Sequence, residues 1–523
     1  MQDAKGKHRP KHSRRIIGDD EFTQIFAPHV SLLLELAHFA MDHPERPANR
    51  PFLNSVYART NRAIEVLDSC GARGNRRWYP FRVRLAALRN LSLAAHEMLH
   101  VYHSAPDYCL LEVEGDFAAD TKRAVAYLDR VVRCVLGRTL TDALGVGLPP
   151  PAEGTIDPTR FVEDLPPGRL AHDREERHDQ SAGERIVALA TRYLEVDAES
   201  RVLSVVLGDE RPWQELIPDP LSEESLRQIM VSFHNLQSEY DTYISDSDVE
   251  AVDSDLVALR GHASLALHLT RIASTLAHFY ERHMIGNNEA LFCCRDCLLY
   301  EDTFRWVLFD YCVAYARRYS QAAVPVAHRI LRDYAEIAEI QVPVPRYHGF
   351  HVRPSTYVSQ IIRHYGSEAS MELAGSTYNP GSIFDLFRAN EAIQKTKREQ
   401  ICDLVAAENT DHALAADSTP ETEVRRVLLS LAVERKIVIH EELVFDKLKL
   451  SHDRRLFDLV ADAVFHFLRT GRIDVETNLV ATFRGDKRVL HDIQLLAENG
   501  YGEDERGRNL PMPPGLEYLK HSM

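Results

Sequence analysis

From Phe22 to about Leu144, and again from Arg185 to about Glu339, apolar residues recur at three- and four-residue spacing, and nowhere there do they alternate as in a strand. The run Ser31-Leu32-Leu33-Leu34-Glu35-Leu36-Ala37-His38-Phe39 is typical, as is Val83-Arg84-Leu85-Ala86-Ala87-Leu88. Such a period demands helices that bury one face against other helices. Between the two stretches, residues 147–184 carry Pro149-Pro150-Pro151, Pro158 and Pro166-Pro167 among acidic residues and glycines, a composition that breaks helices. The expectation is an all-α region in two halves, 22–146 and 185–336, joined by a linker or long loop and forming one bundle. A chain of 523 residues has room for roughly two to four domains.

Charge removes one class of function. Lys+Arg 62 against Asp+Glu 78 gives a net charge of -16, whereas a general nucleic-acid binder needs clustered cations, so no nucleic-acid partner is expected. The exception is the segment 1–21, with Lys5, Lys7, Arg9, Lys11, Arg14 and Arg15, which lacks apolar periodicity and reads as a solvated, disordered tail. No stretch has the apolar length of a signal-peptide core or a membrane span, so the expected location is cytoplasmic, with no membrane span. In that compartment the eight cysteines are expected as free thiols. Cys293-Cys294-Arg295-Asp296-Cys297 supplies only half of a tetrahedral zinc site, and neither a metal nor a cofactor is expected.

His96-Glu97-Met98-Leu99-His100 fits the HExxH pattern, in which two histidines one turn apart hold zinc and the glutamate acts as base. A catalytic zinc needs a third ligand. His103 lies about 10 Å along the helix axis from His96, too far to share the ion, and Glu112 and Glu114 follow too soon. The plain reading is a bundle helix whose histidines hydrogen-bond to neighbours.

At Ala338 the pattern changes. Ile340-Gln341-Val342-Pro343-Val344-Pro345 alternates as a strand, and its two prolines, each lacking a ladder donor, demand an edge. Then comes Tyr347-His348-Gly349-Phe350-His351-Val352-Arg353-Pro354-Ser355. Pro354 suits the first turn of a helix, and Val358, Ile361, Ile362 and Tyr365 give that helix one buried stripe. His351 therefore falls just before a helix N-terminus, where unpaired amides and the dipole favour a phosphate, with Arg353 two residues on to neutralise it. A histidine held there is a competent phosphoryl acceptor through a neutral ring nitrogen.

Gly349-Phe350-His351-Val352-Arg353-Pro354 resembles the active-site signature of HPr, the histidine phosphocarrier of the phosphoenolpyruvate:sugar phosphotransferase system. Met371-Glu372-Leu373-Ala374-Gly375-Ser376-Thr377-Tyr378-Asn379 is similar to the family's second and third strands, and Gly381-Ser382-Ile383-Phe384 falls at its regulatory serine and second helix. The resemblance implies that His351 is phosphorylated, that Arg353 is its partner and that Ser382 is a regulatory phosphorylation site. Ser382 with Asp385 three residues on also resembles a capping box, which explains the serine without regulation. Gly381 and Ser355-Thr356 depart from the family pattern.

Where the family's fourth strand is expected, the chain runs into Lys395-Thr396-Lys397-Arg398 and further helix. A substitute comes about ninety residues later: Asn478-Leu479-Val480-Ala481-Thr482-Phe483-Arg484-Gly485-Asp486 reads as strand and turn, followed by helical Val489, Leu490, Ile493 and Leu496. The expected fold is thus multidomain, all-α followed by an α+β HPr-like open-faced sandwich. Its first part is 337–394 and its last strand and helix are 476–500, interrupted by a helical insertion at 395–475. Loop closure makes such a split thermodynamically tolerable. The acidic, turn-rich segment 501–523 is expected to be a tail without chemistry.

The function expected from this resemblance is a phosphocarrier or phosphorylation-dependent regulator that takes a phosphoryl group on His351 from an enzyme I-like donor and passes its state to a protein acceptor or regulated partner. One competing reading is a scaffold using the HPr-like fold for docking alone. Another is a zinc hydrolase built on His96, Glu97 and His100.

Overall fold

The computed structural model describes residues 15–151, 156–163, 182–245, 247–285, 301–407, 418–446, 448, 450–475, 477–504 and 507–521. Residues 1–14 of the basic segment, much of 147–184 and the cysteine cluster 293–297 lie outside the described residues. The protein is mostly helical, with small antiparallel sheets towards its C-terminal end. No described helix is long and apolar enough to cross a membrane.

The chain divides into two units, Met1–Ala182 with Arg192–Ala327, and Gly183–Thr191 with His328–Met523. Both helical halves contribute to the first. The seams differ from the expected 185 and 336, because a helical period shows that a face is buried but not which neighbour covers it.

In the first unit, helices Asp19–Asp42, Arg50–Ser69, Tyr79–Ser104 and Phe117–Gly145 form the first half. Asn49 and Asp116 cap two of them, accepting from the amides of Phe52 and Ala119. The first helix starts inside the segment expected to be a disordered tail: Asp19, Asp20 and Glu21 occupy its first turn, where the dipole favours acids. The second half centres on Ser254–His283, whose His262 is fully buried. That ring ties the halves together, accepting from the Leu111 amide (2.9 Å) and donating to the Tyr319 carbonyl (2.8 Å). In the segment read as a linker, Phe161 packs edge-on against Phe52 at 5.4 Å, so part of it belongs to the fold. Cys70, Cys109, Cys312 and Cys402 are free thiols, whereas Cys134 is disulfide-bonded, a correction to the expectation that all are free.

The second unit contains, among its described residues, strands β1 (Ile337–Pro343), β2 (Ala369–Leu373), β3 (Ser376–Tyr378), β4 (Val438–Ile439), β5 (Ile473–Asp474) and β6 (Val480–Asp486). One antiparallel sheet has the order β1-β6-β2-β3. β1 lies at its edge and ends at Pro343, where a proline is tolerated, with Pro345 beyond the strand; it pairs with β6 so that Ile340 faces Phe483 and Val342 faces Ala481. Phe483 also faces Met371 of β2. A two-residue turn joins β2 to β3, with Ala374 at φ 50° and Gly375 at φ 77°, the left-handed pair that matches hairpin twist.

Helices Val352–Tyr365, Ile383–Ala407 and Lys487–Glu498 supply apolar faces to a core with Phe350, Val358, Ile361, Leu386, Phe483 and Ile493. The described residues of 501–521 are no loose tail. Tyr501, Leu516 and Leu519 are buried in this core, and the Tyr501 hydroxyl donates to the Pro343 carbonyl at 2.7 Å. Two large aliphatics and an aromatic spread over nineteen positions among turn residues give no periodic signal to find.

Helix Ile383–Ala407 runs without a break through Lys395–Arg398 and leads into a second core, with Ile401, Leu428, Leu459 and Phe467 at its centre. Helices Pro420–Val433 and Leu456–Arg469 enclose it together with the antiparallel pair β4 and β5. The inserted segment is therefore not purely helical as expected, since two-residue strands are too short to display alternation.

In the helical unit, His283 is 4% exposed, and burial, followed by the repulsion of His278, Arg82, Arg89 and Arg282, pushes its pKa down to about 3. The unfolded chain then binds the extra proton as pH falls below about 6.5, so this unit loses stability on acidification and regains it as pH rises. Between pH 7 and pH 5 the loss from this residue is on the order of 2 kcal/mol. Urea unfolding of the wild type and of His283→Gln at the two pH values measures it, with a flatter pH dependence expected in the variant.

Candidate functional site

The loop between β1 and helix Val352–Tyr365 is bent by two successive left-handed residues, His348 (φ 54°) and Gly349 (φ 64°). A Cβ on Gly349 would lie 2.2 Å from Asn390 Oδ1, so glycine is required there by space as well as by φ. The histidine has no such freedom, and its strained backbone persists because the surroundings fix it. His348 N–H donates to Asp474 Oδ2 (3.2 Å), and the Gln394 amide reaches the His348 carbonyl (3.4 Å). Asp474, on β5, is held in turn by Lys397 Nζ at 2.7 Å. These two side chains are only 5% and 1% exposed. Lys397 also donates to the Arg346 carbonyl (3.3 Å). Burial pushes the His348 imidazole below its ordinary pKa, with Lys397, His440 and His351 adding to that push and Asp474 opposing it.

Phe350, fully buried against Tyr501, anchors the turn from below. His351 follows as the residue that caps the helix start in extended backbone, and its carbonyl accepts from the Ser355 amide at 3.1 Å. Ser355 Oγ donates back to the Phe350 carbonyl at 2.9 Å. The helix itself supplies no partner for the amides of Val352 and Arg353, and Pro354 has none to satisfy. The His351 ring is 28% exposed and makes no cap bond with these amides.

Its Nε2 instead lies 2.8 and 3.0 Å from the two carboxylate oxygens of Glu503. Glu503 is 2% exposed and also accepts from Arg353 Nη1 at 3.0 Å, while the same nitrogen donates to the Gly507 carbonyl at 3.1 Å. A carboxylate accepts only, so Nε2 carries the hydrogen and Nδ1 keeps a lone pair in the neutral ring. The structure thus brings His351 and Arg353 onto one buried carboxylate that sequence reasoning left in an inert tail. Glu503-Asp504-Glu505 looks like any solvated acidic run, and only the Gly500, Gly502 and Gly507 turns around it hint at an ordered loop.

Ser382 precedes helix Ile383–Ala407, half-buried, and its Oγ accepts from the Asp385 amide at 3.3 Å. The reciprocal half of a capping box is not made with Ser382: Asp385 Oδ2 accepts from the Asn379 amide at 3.2 Å.

In the helical unit, Glu97 is almost fully buried and occupied by His268 Nδ1 (3.1 Å) and Arg271 (3.2 Å). His100 packs against His268, with ring centroids 4.2 Å apart. Burial, followed by the His268 charge, pushes His100 down to about 4, and burial lowers His96 as well. No set of three or more His, Cys, Asp or Glu side chains spaced to hold a metal occurs among the described residues. Compared with family models, curated proteins and solved structures, the chain matches none.

Two substitutions test this construction. Lys397→Ala strands Asp474 as an uncompensated buried charge, and a destabilisation of about 4 kcal/mol is expected in denaturant unfolding of the second unit. In long-range proton–nitrogen spectra, neutral His351 shows Nε2 protonated, and Glu503→Ala gives a mixture of tautomers.

Proposed function

We propose that the second unit is an HPr-like phosphocarrier domain, interrupted after its second helix, and that His351 accepts a phosphoryl group on Nδ1 from an enzyme I-like donor of a phosphotransferase system. The observation that carries this reading is the shared carboxylate: Glu503 holds the Nε2 side of the ring and also binds Arg353, leaving Nδ1 as the free nitrogen of a residue that immediately precedes a helix N-terminus. The strand order β1-β6-β2-β3 supports it, since β6 supplies the inner strand that such a domain needs to pair with its first.

In the transfer, the Nδ1 lone pair forms the new N–P bond as the bond between phosphorus and the donor breaks, and the donor leaves with that electron pair. The ring gains positive charge, which Glu503 offsets across the Nε2 hydrogen bond. Arg353 and the first-turn amides of Val352 and Arg353 meet the phosphoryl oxygens. The phosphorylated ring stays a good donor because its second nitrogen remains protonated, which suits relay to a protein acceptor or regulated partner. In this reading Ser382 is the regulatory phosphorylation site, which phosphorylation would convert from a neutral cap to an anion at the start of a helix.

Incubation with labelled phosphoenolpyruvate and enzyme I tests the proposal. Acid-labile label is expected on the wild type and none on His351→Ala. Failure to label the wild type leaves a docking scaffold as the better reading, and equal labelling of the alanine variant places the chemistry elsewhere.

A further inference from the structure

Beside His351 opens a cleft of about 410 Å³. One wall is a single face of helix Ile383–Ala407, where Asn390, Gln394 and Arg398 follow at four-residue intervals. The opposite wall is the end of helix Leu456–Arg469, with Phe465, Leu468 and Arg469. That second wall belongs to the inserted segment, so the insertion builds a chamber against the reactive histidine where a bare carrier domain would leave an open surface.

The lining has one electrical sign. Arg398 and Arg469 both border it, and among the described residues no carboxylate does. Both arginines are exposed, and neither forms an ion pair among the described residues, so their charge is available to a ligand. The carbonyls that end helix Leu456–Arg469 would repel an anion if free. Three of them are spent instead, because the Thr470 amide donates to the His466 carbonyl, the Gly471 amide to Leu468 and the Arg472 amide to Phe467 as the chain closes the helix. Asn390 Oδ1 is buried without a hydrogen-bond partner; as an acceptor it suits a hydroxyl on the ligand's carbon skeleton and not the phosphate. Phe465 and Leu468 give the cleft an apolar side, and the Arg398 guanidinium lies 5.9 Å from the Phe465 ring centre.

We infer that this cleft binds a small phosphorylated organic anion, its phosphate between Arg398 and Arg469 and its carbon skeleton against Phe465 and Leu468. Two guanidinium forks are the side chains best matched to phosphate oxygens, and the volume falls in the range of small-molecule sites rather than that of a bare ion. His351 forms part of the same wall, so a bound phosphate and a phosphoryl group on His351 compete for one positively charged space. The ligand is therefore an inhibitor of His351 phosphorylation. This last step rests on the phosphocarrier reading, but the binding step does not.

Calorimetric titration of the full chain with 3-phosphoglycerate tests the site, with inorganic phosphate and glycerol as the arms that separate an organic phosphate from a simple ion and from the carbon skeleton. Saturable one-to-one binding of 3-phosphoglycerate is expected, tighter than inorganic phosphate, with none for glycerol. The surface variant Arg398→Ala with Arg469→Ala should weaken it at least tenfold, its circular dichroism and melting curve reporting that it remains folded. Absence of binding at millimolar ligand, or equal binding by the folded double variant, overturns the inference. Added 3-phosphoglycerate should also slow labelling of His351 in the wild type and not in the double variant. If binding follows this pattern while the wild type never labels, the phosphocarrier reading fails and the site stands. Labelling that proceeds without any binding has the opposite meaning.

Discussion

A buried ion pair between Lys397 and Asp474 holds the loop before His351 in place. Removing two charges from water is costly, and the pair is compensated by further hydrogen bonds: Lys397 donates to the Arg346 carbonyl, and Asp474 accepts from the amides of His348 and Val475. Lys397 lies on the long helix and Asp474 on the second strand of the inserted segment, seventy-seven residues apart. The pair thus ties β5 to the long helix, and through the His348 amide and the Arg346 carbonyl it ties both to the strained turn at His348. The position of His351, three residues on, depends on both.

A second carboxylate completes the arrangement from the other side. Glu503 has almost no exposure, yet it faces two groups that carry or can carry positive charge, Arg353 and His351. Its burial is compensated by these charge-assisted bonds, and its consequence is chemical as well as structural. With one ring nitrogen engaged, the ring is left with a single available nitrogen. Tyr501 fixes this segment by packing on Phe350, so the residue that supports the histidine from below and the carboxylate that orients it are two positions apart.

Much of the local structure was legible because it rests on spacing. The helix after His351 follows from Pro354 and a four-residue apolar stripe, and the strand at Val480–Asp486 with its following helix follows from a change of period. What stayed hidden was every partner whose meaning depends on distant chain. Lys397 sits in a run of charges that reads as a solvated face, yet it is the most buried charged group of the unit's described residues at 1% exposure. Glu503 sits in an acidic run, and Asp474 in a strand too short to signal itself. Charge patterns report what a residue can do in water, and these three have been taken out of it. Likewise, the Glu97 pair with His268 joins positions 171 apart, which no local motif encodes.

The pairing of β1 with β6 brings Ile337 opposite Asp486, with the whole inserted segment between them. Contacts of such long sequence separation form slowly, because the loop must close before any ladder bond rewards it. A ribosome emitting this chain releases the histidine well before the strand and the glutamate that give the ring its setting. The imidazole therefore acquires its setting only once the chain has been extended as far as Glu503, and a product truncated before that residue would carry the whole Gly349–Pro354 segment without the carboxylate that orients its ring.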